Sequence, residues 1–494
     1  MKRLILIISL LSWRGVCATD AQSQAKRLTL GDAITLAHRQ SVDAAVALGE
    51  LRSAYWEYRS YRANLLPEVS LEMTLPDYQQ RYNLHQREDG TLTFVRSNAL
   101  RMMGDLSINQ NIWPTGGKLS LNSSLQYIDP LATAGARRSF LSVPIGLTYW
   151  QPIFATNKLK WHRRIEPIRY EEAKARYLEQ VDQVTLRAIQ MYFELLVATE
   201  NKKIAEQNKA NAERIYEIAQ ARRQMGQISE NELLQLKLST LKAQSNLTQE
   251  QSALNGAMFR LRSFLSLSES ERIEAETPKA EAYPPILYQE VLDKALTNGS
   301  FARNIRRRQL EADFQLAQAR GERQEINLYA SVGYTGRDEY LRNAYNHVVD
   351  NQIVQVGIKI PLLDWGKRKG RVRVAKSNQE VMRAKLKQEE MDFSQDLYLL
   401  VERYNNQTEQ LRIAHEADAI AQRRYATSVE SFMIGKINTL DLNDAQISKD
   451  QARAKYLQEM HLYWHYFYQI RSLTLYDFAE GKPLELSIHG LLTP

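Results

Sequence analysis

Met225-Gly226-Gln227-Ile228 and Ile434-Gly435-Lys436-Ile437 read as one turn written twice, 209 residues apart. The same offset separates Pro152-Ile153-Phe154 from Pro361-Leu362-Leu363, so 74 positions run from proline to glycine in both halves. A spacing held over that distance requires two rigid elements of equal length, and the chain reads as an internal duplication. Upstream, Leu30 to Ala37 resembles Tyr288 to Ala295 at an offset of 258, which gives the first half 49 extra residues before its proline.

Each half predicts helix, strand region, very long helix, glycine turn and return helix. The first repeat, 19–285, divides into a helix at 30–65, strands within 68–152, a long helix at 157–224, a return helix at 229–265 and a polar linker at 266–285. The second, 286–494, gives helices within 288–325, strands within 326–361, a long helix at 366–433, a return helix at 438–475 and a tail at 476–494. Ile189, Phe193 and Leu196, and then Leu397, Leu400 and Tyr404, recur at helical spacing in stretches rich in Ala, Glu, Lys, Arg and Gln. At 1.5 Å per residue each long helix is about 100 Å, a length no globular domain needs. The shorter helices before the strands and after the turn add up to nearly the same span, so two stacked half-length helices match one full-length helix. Pro167 is expected to kink the first long helix or to mark its beginning.

Composition narrows the class. Of 494 residues 44% are hydrophobic and 25% charged, close to the soluble average, which excludes wholesale disorder and a multi-helix membrane transporter. Beyond the leader no stretch approaches the ~18 apolar residues of a spanning helix, so any membrane crossing must use strands. Lys2 and Arg3 precede the apolar run Leu4 to Leu11, and Val16-Cys17-Ala18 offers small residues for cleavage, so residues 1–18 read as a secretory signal. The alternative, lipidation of Cys17, lacks the usual apolar and small residues at Arg14-Gly15-Val16. Cleavage after Ala18 leaves no cysteine and lowers the formal net charge from +8 to +5. Lysine and arginine interleaved with glutamate, together with secretion, argue against a nucleic-acid partner.

The strand regions alternate with period two. Val69, Leu71, Met73 and Leu75 face away from Ser70, Glu72 and Thr74, and Ile326 to Thr335 repeats the pattern, as do Val354, Val356, Ile358 and Ile360. Leu119 to Tyr127 and Leu141 to Tyr149 add two more runs, the last weakened by Pro144. Such faces fit a half-buried soluble sheet or a transmembrane barrel wall. Trp113, Trp150, Trp161 and Trp365, at or near strand ends, favour the wall, where aromatics sit at the membrane interface.

Over residues 30–480 the sequence resembles the TolC-like outer membrane efflux proteins. The likeness rests on the duplicated unit, on Pro361-Leu362-Leu363-Asp364-Trp365-Gly366-Lys367, and on the turn from Gly435 to Ala445. It implies a mainly α fold with a transmembrane β part, assembled as a homotrimeric α-barrel/β-barrel duct. Such ducts work with a periplasmic adaptor and an inner-membrane pump of the RND or ABC type, in drug efflux or type I secretion. Independently of the resemblance, a few strands per protomer leave sheet edges that lipid cannot tolerate, so several protomers must close one barrel. Whether the first repeat gives two wall strands or four stays open at this stage.

The resemblance also implies that Asp441 and Asp444, at i and i+3, form the acidic pore constriction in three copies; ordinary N-terminal capping is the plain reading of the same pair. Glu232 and Gln235 hold the matching places in the first half. Gly226, Gln227, Gly435 and Lys436 are the expected adaptor contacts at the periplasmic tips. The arginine and tyrosine that often latch the closed tip in this family are replaced here by Ile437 and Phe432, so the resting latch does not carry over. Lys367, Arg368, Lys369, Arg371 and Arg373, with Arg163 and Arg164, suit anionic lipid headgroups, an acidic surface or a solvated helix start. No nucleotide or nucleophile motif is present, and no cofactor or enzymatic turnover is expected. His461 and His465 have metal-compatible spacing but no third ligand; their aromatic neighbours point to packing. The competing class is a secreted coiled-coil scaffold or adhesin, which would remain in the soluble periplasmic fraction.

Overall fold

The computed structural model describes residues 26–131, 137–268, 271, 273–278, 285–323, 325–359 and 363–485. The leader with Cys17, part of the linker, Pro361, Leu362 and the end of the tail lie outside the described residues.

The chain opens with a short strand β1 (Lys26–Leu28) and helices α1 (Leu30–Gln40) and α2 (Val42–Ala63). Thr29 and Asp32 close a reciprocal capping box at the start of α1. Four strands follow: β2 (Glu68–Gln86), β3 (Leu92–Ile112), β4 (Gly117–Pro130) and β5 (Ser139–Ile153). Then come α3 (Lys158–Gln224), α4 (Glu230–Phe264) and β6 (Ile273–Ala275). The second half gives α5 (Tyr288–Asn298), α6 (Ser300–Gly321), β7 (Glu325–Asp338), α7 (Leu341–Asn346), β8 (Val348–Lys359), α8 (Lys367–Met433) and α9 (Thr439–Thr474), with β9 (Tyr476–Asp477) and β10 (Lys482–Pro483) forming a small antiparallel pair.

The run 30–65 is two helices rather than one. Ser41 is extended (φ −70°, ψ 146°) and its N–H still bonds the Ala37 carbonyl, while its side chain accepts from Ala44 N at 3.2 Å. Gly299 breaks α5 from α6 in the same way (φ −64°, ψ 161°), with its N–H on the Ala295 carbonyl. These breaks stand 258 residues apart, the offset of the opening helices.

Two units can be recognised, one comprising residues up to Ala44, Val184–Ala282 and Gln407–His465, the other Ala45–Gln183, Tyr283–Asn406 and Tyr466 onward; α2, α3, α8 and α9 contribute to both. In the first, β1 pairs in parallel with β6, and the buried Tyr192 of α3 donates its hydroxyl to the carbonyls of Leu28 (2.9 Å) and Glu276 (2.5 Å). Ile189, Tyr192, Phe193, Leu195 and Leu196 bury one stripe of α3, and Met460 and Tyr463 are buried on α9. Arg453 of α9 bridges Glu200 of α3 (3.0 Å) and Asp418 of α8 (3.2 Å).

In the second unit, α6 is tied to α3 by Arg307 on the buried Glu172 (2.6 Å) and to α8 by Arg308 on Glu389 (2.6 Å). Phe301 stacks on Phe393 with centroids 4.1 Å apart. Ser300, opening α6, donates its N–H and hydroxyl to Glu179 of α3, and the Leu473 carbonyl near the end of α9 lies against Gly299. Beside this junction Asp182, 1% exposed, pairs with Arg471 at 3.6 Å. Pro167 sits inside α3 without ending it. The turns ahead of it are held by Asn157, whose Oδ1 accepts from Lys160 N (3.0 Å), and by Trp161 against Phe314.

The sheet of this unit has the order β2-β3-β4-β5-β7-β8, every neighbour antiparallel. Among the described residues the first repeat therefore supplies four strands to this sheet and the second two. Pro144 is accommodated because the β5–β7 register shifts between Ser142 and Gly146, leaving no ladder bond for the proline to break.

Candidate functional site

The two glycine turns have one geometry. Gly226 (φ 72°) sends its N–H to the Arg223 carbonyl while Gln227 N bonds Arg222 O at 2.9 Å; Gly435 (φ 76°) bonds Phe432 O while Lys436 N bonds Ser431 O at 2.9 Å. Both are Schellman caps, which need a left-handed residue where glycine carries no steric penalty. Around them Met225 (65% exposed), Ile434 (67%) and Leu440 (74%) hold apolar side chains in solvent. Between the two hairpins a groove of about 570 Å³ is lined by Ile218, Arg222, Phe432, Ile437, Leu440 and Asn443. Phe432 and Ile437 thus make an apolar lining, a contact that a tyrosine and an arginine would replace with polar groups.

The helix starts after the turns differ. Ser229 and Glu232 close a capping box on α4, so the Glu232 carboxylate is occupied by the Ser229 N–H at 2.9 Å. On α9 the cap is Asn438, whose Oδ1 accepts from Asp441 N at 2.9 Å, and the exposed Asp441 carboxylate has no hydrogen bond or ion pair among the described residues. Asp444, also exposed, is held by Arg424 of α8: Nη2 reaches Oδ2 at 2.6 Å, and Nη1 reaches the Ser448 hydroxyl at 3.3 Å. The structure therefore brings Asp441 and Asp444 onto adjacent turns but leaves only Asp441 without a countercharge. Arg424 was missed from sequence. Its signal is register, since it stands 11 residues before Gly435 and Asp444 stands nine after, facing positions of an antiparallel helical hairpin.

The sheet is two-faced. Val69, Ile108, Leu121, Leu147 and Val332 are mutual neighbours across five strands, and Val69, Leu71 and Met73 are 57–64% exposed. On the other face the row Glu68, Asn109, Ser120, Thr148 and Ser331 is polar, with Ser120 donating to Asn109 (2.7 Å), Ser70 bonded to Ser107 (2.8 Å) and Thr148 to Ser331 (3.3 Å). An apolar face in solvent opposite a hydrogen-bonded polar face inverts the economy of a soluble sheet and suits lipid outside and water inside.

At the sheet's lower rim Arg163 lies over the Trp113 ring at 3.8 Å, and Trp150 is 40% exposed. Trp161 packs on Phe314 from α3, and Trp365 is 90% exposed in a left-handed turn (φ 52°). Of the basic cluster, Arg368 donates to the Arg323 carbonyl and Arg371 pairs with Glu322. The His461 and His465 rings lie 6.0 Å apart, with His461 also against Phe193; burial lowers both imidazoles below their ordinary range, and His465 lowers His461 further.

The chain matches the outer membrane efflux protein family over residues 33–266 and 302–463. No curated protein matches it. Among solved structures it is similar to the CmeC outer membrane channel of Campylobacter jejuni (16% identity, TM-score 0.65, covering 93% of this chain and 87% of that one). It is similar to the outer membrane protein VceC of Vibrio cholerae (13%, 0.62, 92% and 97%) and to the open MtrE outer membrane channel of Neisseria gonorrhoeae (15%, 0.61, 90% and 88%). At these identities the likeness is one of fold: mainly α with a β part.

Proposed function

The chain belongs to the outer membrane efflux protein family, and from that premise we propose that three copies form a passive exit duct, with β strands in the outer membrane and helices in the periplasm. A periplasmic adaptor opens it and an inner-membrane pump of the RND or ABC type drives it. The observation that carries this reading is the two-faced sheet, whose terminal strands β2 and β8 each leave one edge unpaired among the described residues. Open edges cannot persist in lipid, so β2 of one copy pairs with β8 of the next.

The exposed apolar residues around Gly226, Gln227, Gly435 and Lys436 support the tips as the adaptor's contact. Asp441 and Asp444 project from the first turns of α9, and in three copies they ring the narrow end of the duct. They act as a cation filter, with no bond made or broken in the cargo. Planar-bilayer recording of the purified protein tests this: small cation-selective currents that grow when both aspartates become alanine. Unchanged conductance and selectivity in that variant would refute the assignment.

A further inference from the structure

The β3–β4 hairpin begins and ends at the outer edge of the sheet, and it takes up most of the 49 residues by which the first half exceeds the second. Its inner turn is fastened to the helix below. Asn157, which caps α3, donates its side-chain N–H groups to the carbonyls of Trp113 (2.8 Å) and Pro114 (3.1 Å), and Gln151 donates to Thr115 O (2.9 Å). Gly116 (φ 78°) allows this approach, since a Cβ there would lie 3.1 Å from the Asn157 side chain. Both hairpin strands keep the alternation of their neighbours: Ile108 and Leu121 fall in the apolar row, Asn109 and Ser120 in the polar row. A hairpin laid outside the wall would have no reason to match both rows on both sides.

We propose that β3 and β4 are wall strands, so that three copies close an 18-stranded barrel whose water-filled lumen is too wide to select cargo. This rests on the three-copy reading above. With strands 4.8 Å apart and tilted by about 40°, 18 strands enclose a backbone cylinder roughly 36 Å across, against roughly 24 Å for 12. The outer wall then sets no size limit, and discrimination falls to the helical tips and the partners that open them.

Two measurements separate the placement of the hairpin from the copy number. In proteoliposomes, single cysteines at Ser120 and Ser124 are expected to react with a membrane-impermeant maleimide, while cysteines at Leu119 and Leu121 are shielded by lipid. Equal labelling of all four positions would overturn the inference whatever the copy number. Electron cryomicroscopy of the full chain in nanodiscs is expected to show three chains and 18 wall strands. Three chains with 12 wall strands would overturn the inference and leave the trimer standing; another copy number would overturn the trimer, and the count of 18 with it.

Discussion

Replacing Asp182 with asparagine should flatten the acid side of the protein's stability profile. Asp182 is 1% exposed, and burial pushes its carboxyl up to about 7; Arg471 at 3.6 Å pulls it down and Asp477 raises it again. In the unfolded chain an aspartate titrates near 3.9. Between these values the folded state binds the extra proton, so stability is full below about pH 4 and is lost as pH rises through 7. Applied to the cited shift, linkage gives a loss of about 2 kcal/mol between pH 5 and 7 from this one group. Glu179, also raised by burial, adds to the loss, while His461 and His465, lowered, act in the opposite sense. The useful quantity is therefore the difference between wild type and Asp182→Asn, measured by denaturant unfolding in detergent at pH 5, 6, 7 and 8. The asparagine variant should gain on wild type by about 2 kcal/mol from pH 5 to 7. A difference that is constant with pH, or that moves the other way, would refute the claim that Asp182 is held protonated in the fold.

Arg424→Ala should release Asp444, so that both carboxylates of the Asp441/Asp444 pair lack a countercharge, raising cation over anion permeability in bilayers; its effect on stability should stay below about 1 kcal/mol because the pair is exposed. Arg453→Met should cost about 3 kcal/mol in chemical denaturation, since it strands the buried Asp418 and the largely covered Glu200 without their shared cation. Gly435→Ala should cost about 1 kcal/mol, read as a lower melting temperature, because φ is 76° while a Cβ would meet nothing within 4 Å. Asn157→Ala should lower the melting temperature through loss of the α3 cap and the turn bonds, with Asn157→Asp recovering only the cap, since a carboxylate cannot donate to the Trp113 and Pro114 carbonyls.

The fold class was legible because periodicity survives divergence: Val69, Leu71 and Met73 alternate, and Ile189, Phe193 and Leu196 recur at helical spacing, whatever their neighbours. The interruption at Ser41 was not legible, since Gln40-Ser41-Val42 contains neither glycine nor proline, whereas its counterpart Gly299 is an ordinary punctuation mark. The number of strands in the first repeat was obscured by Pro144, whose harmlessness depends on a register shift with β7, almost 190 residues further on. At the tip, Asp441 and Glu232 look equivalent in sequence. They diverge because Ser229 offers its backbone N–H to Glu232, while no such bond holds the Asp441 carboxylate. The Arg424 contact depends on how two helices align across a turn, which no local pattern specifies.

The parallel pairing of β1 with β6 joins Lys26 to Ile273 and Leu28 to Ala275. Nearly 250 residues of chain must therefore be present before the first strand meets its mate, and Tyr192 can clasp both only then. The opening segment is consequently among the last parts of its repeat to be secured as the chain is made. The seam is thus the latest-closing contact of the repeat, a long-range closure that only the nearly complete segment can make.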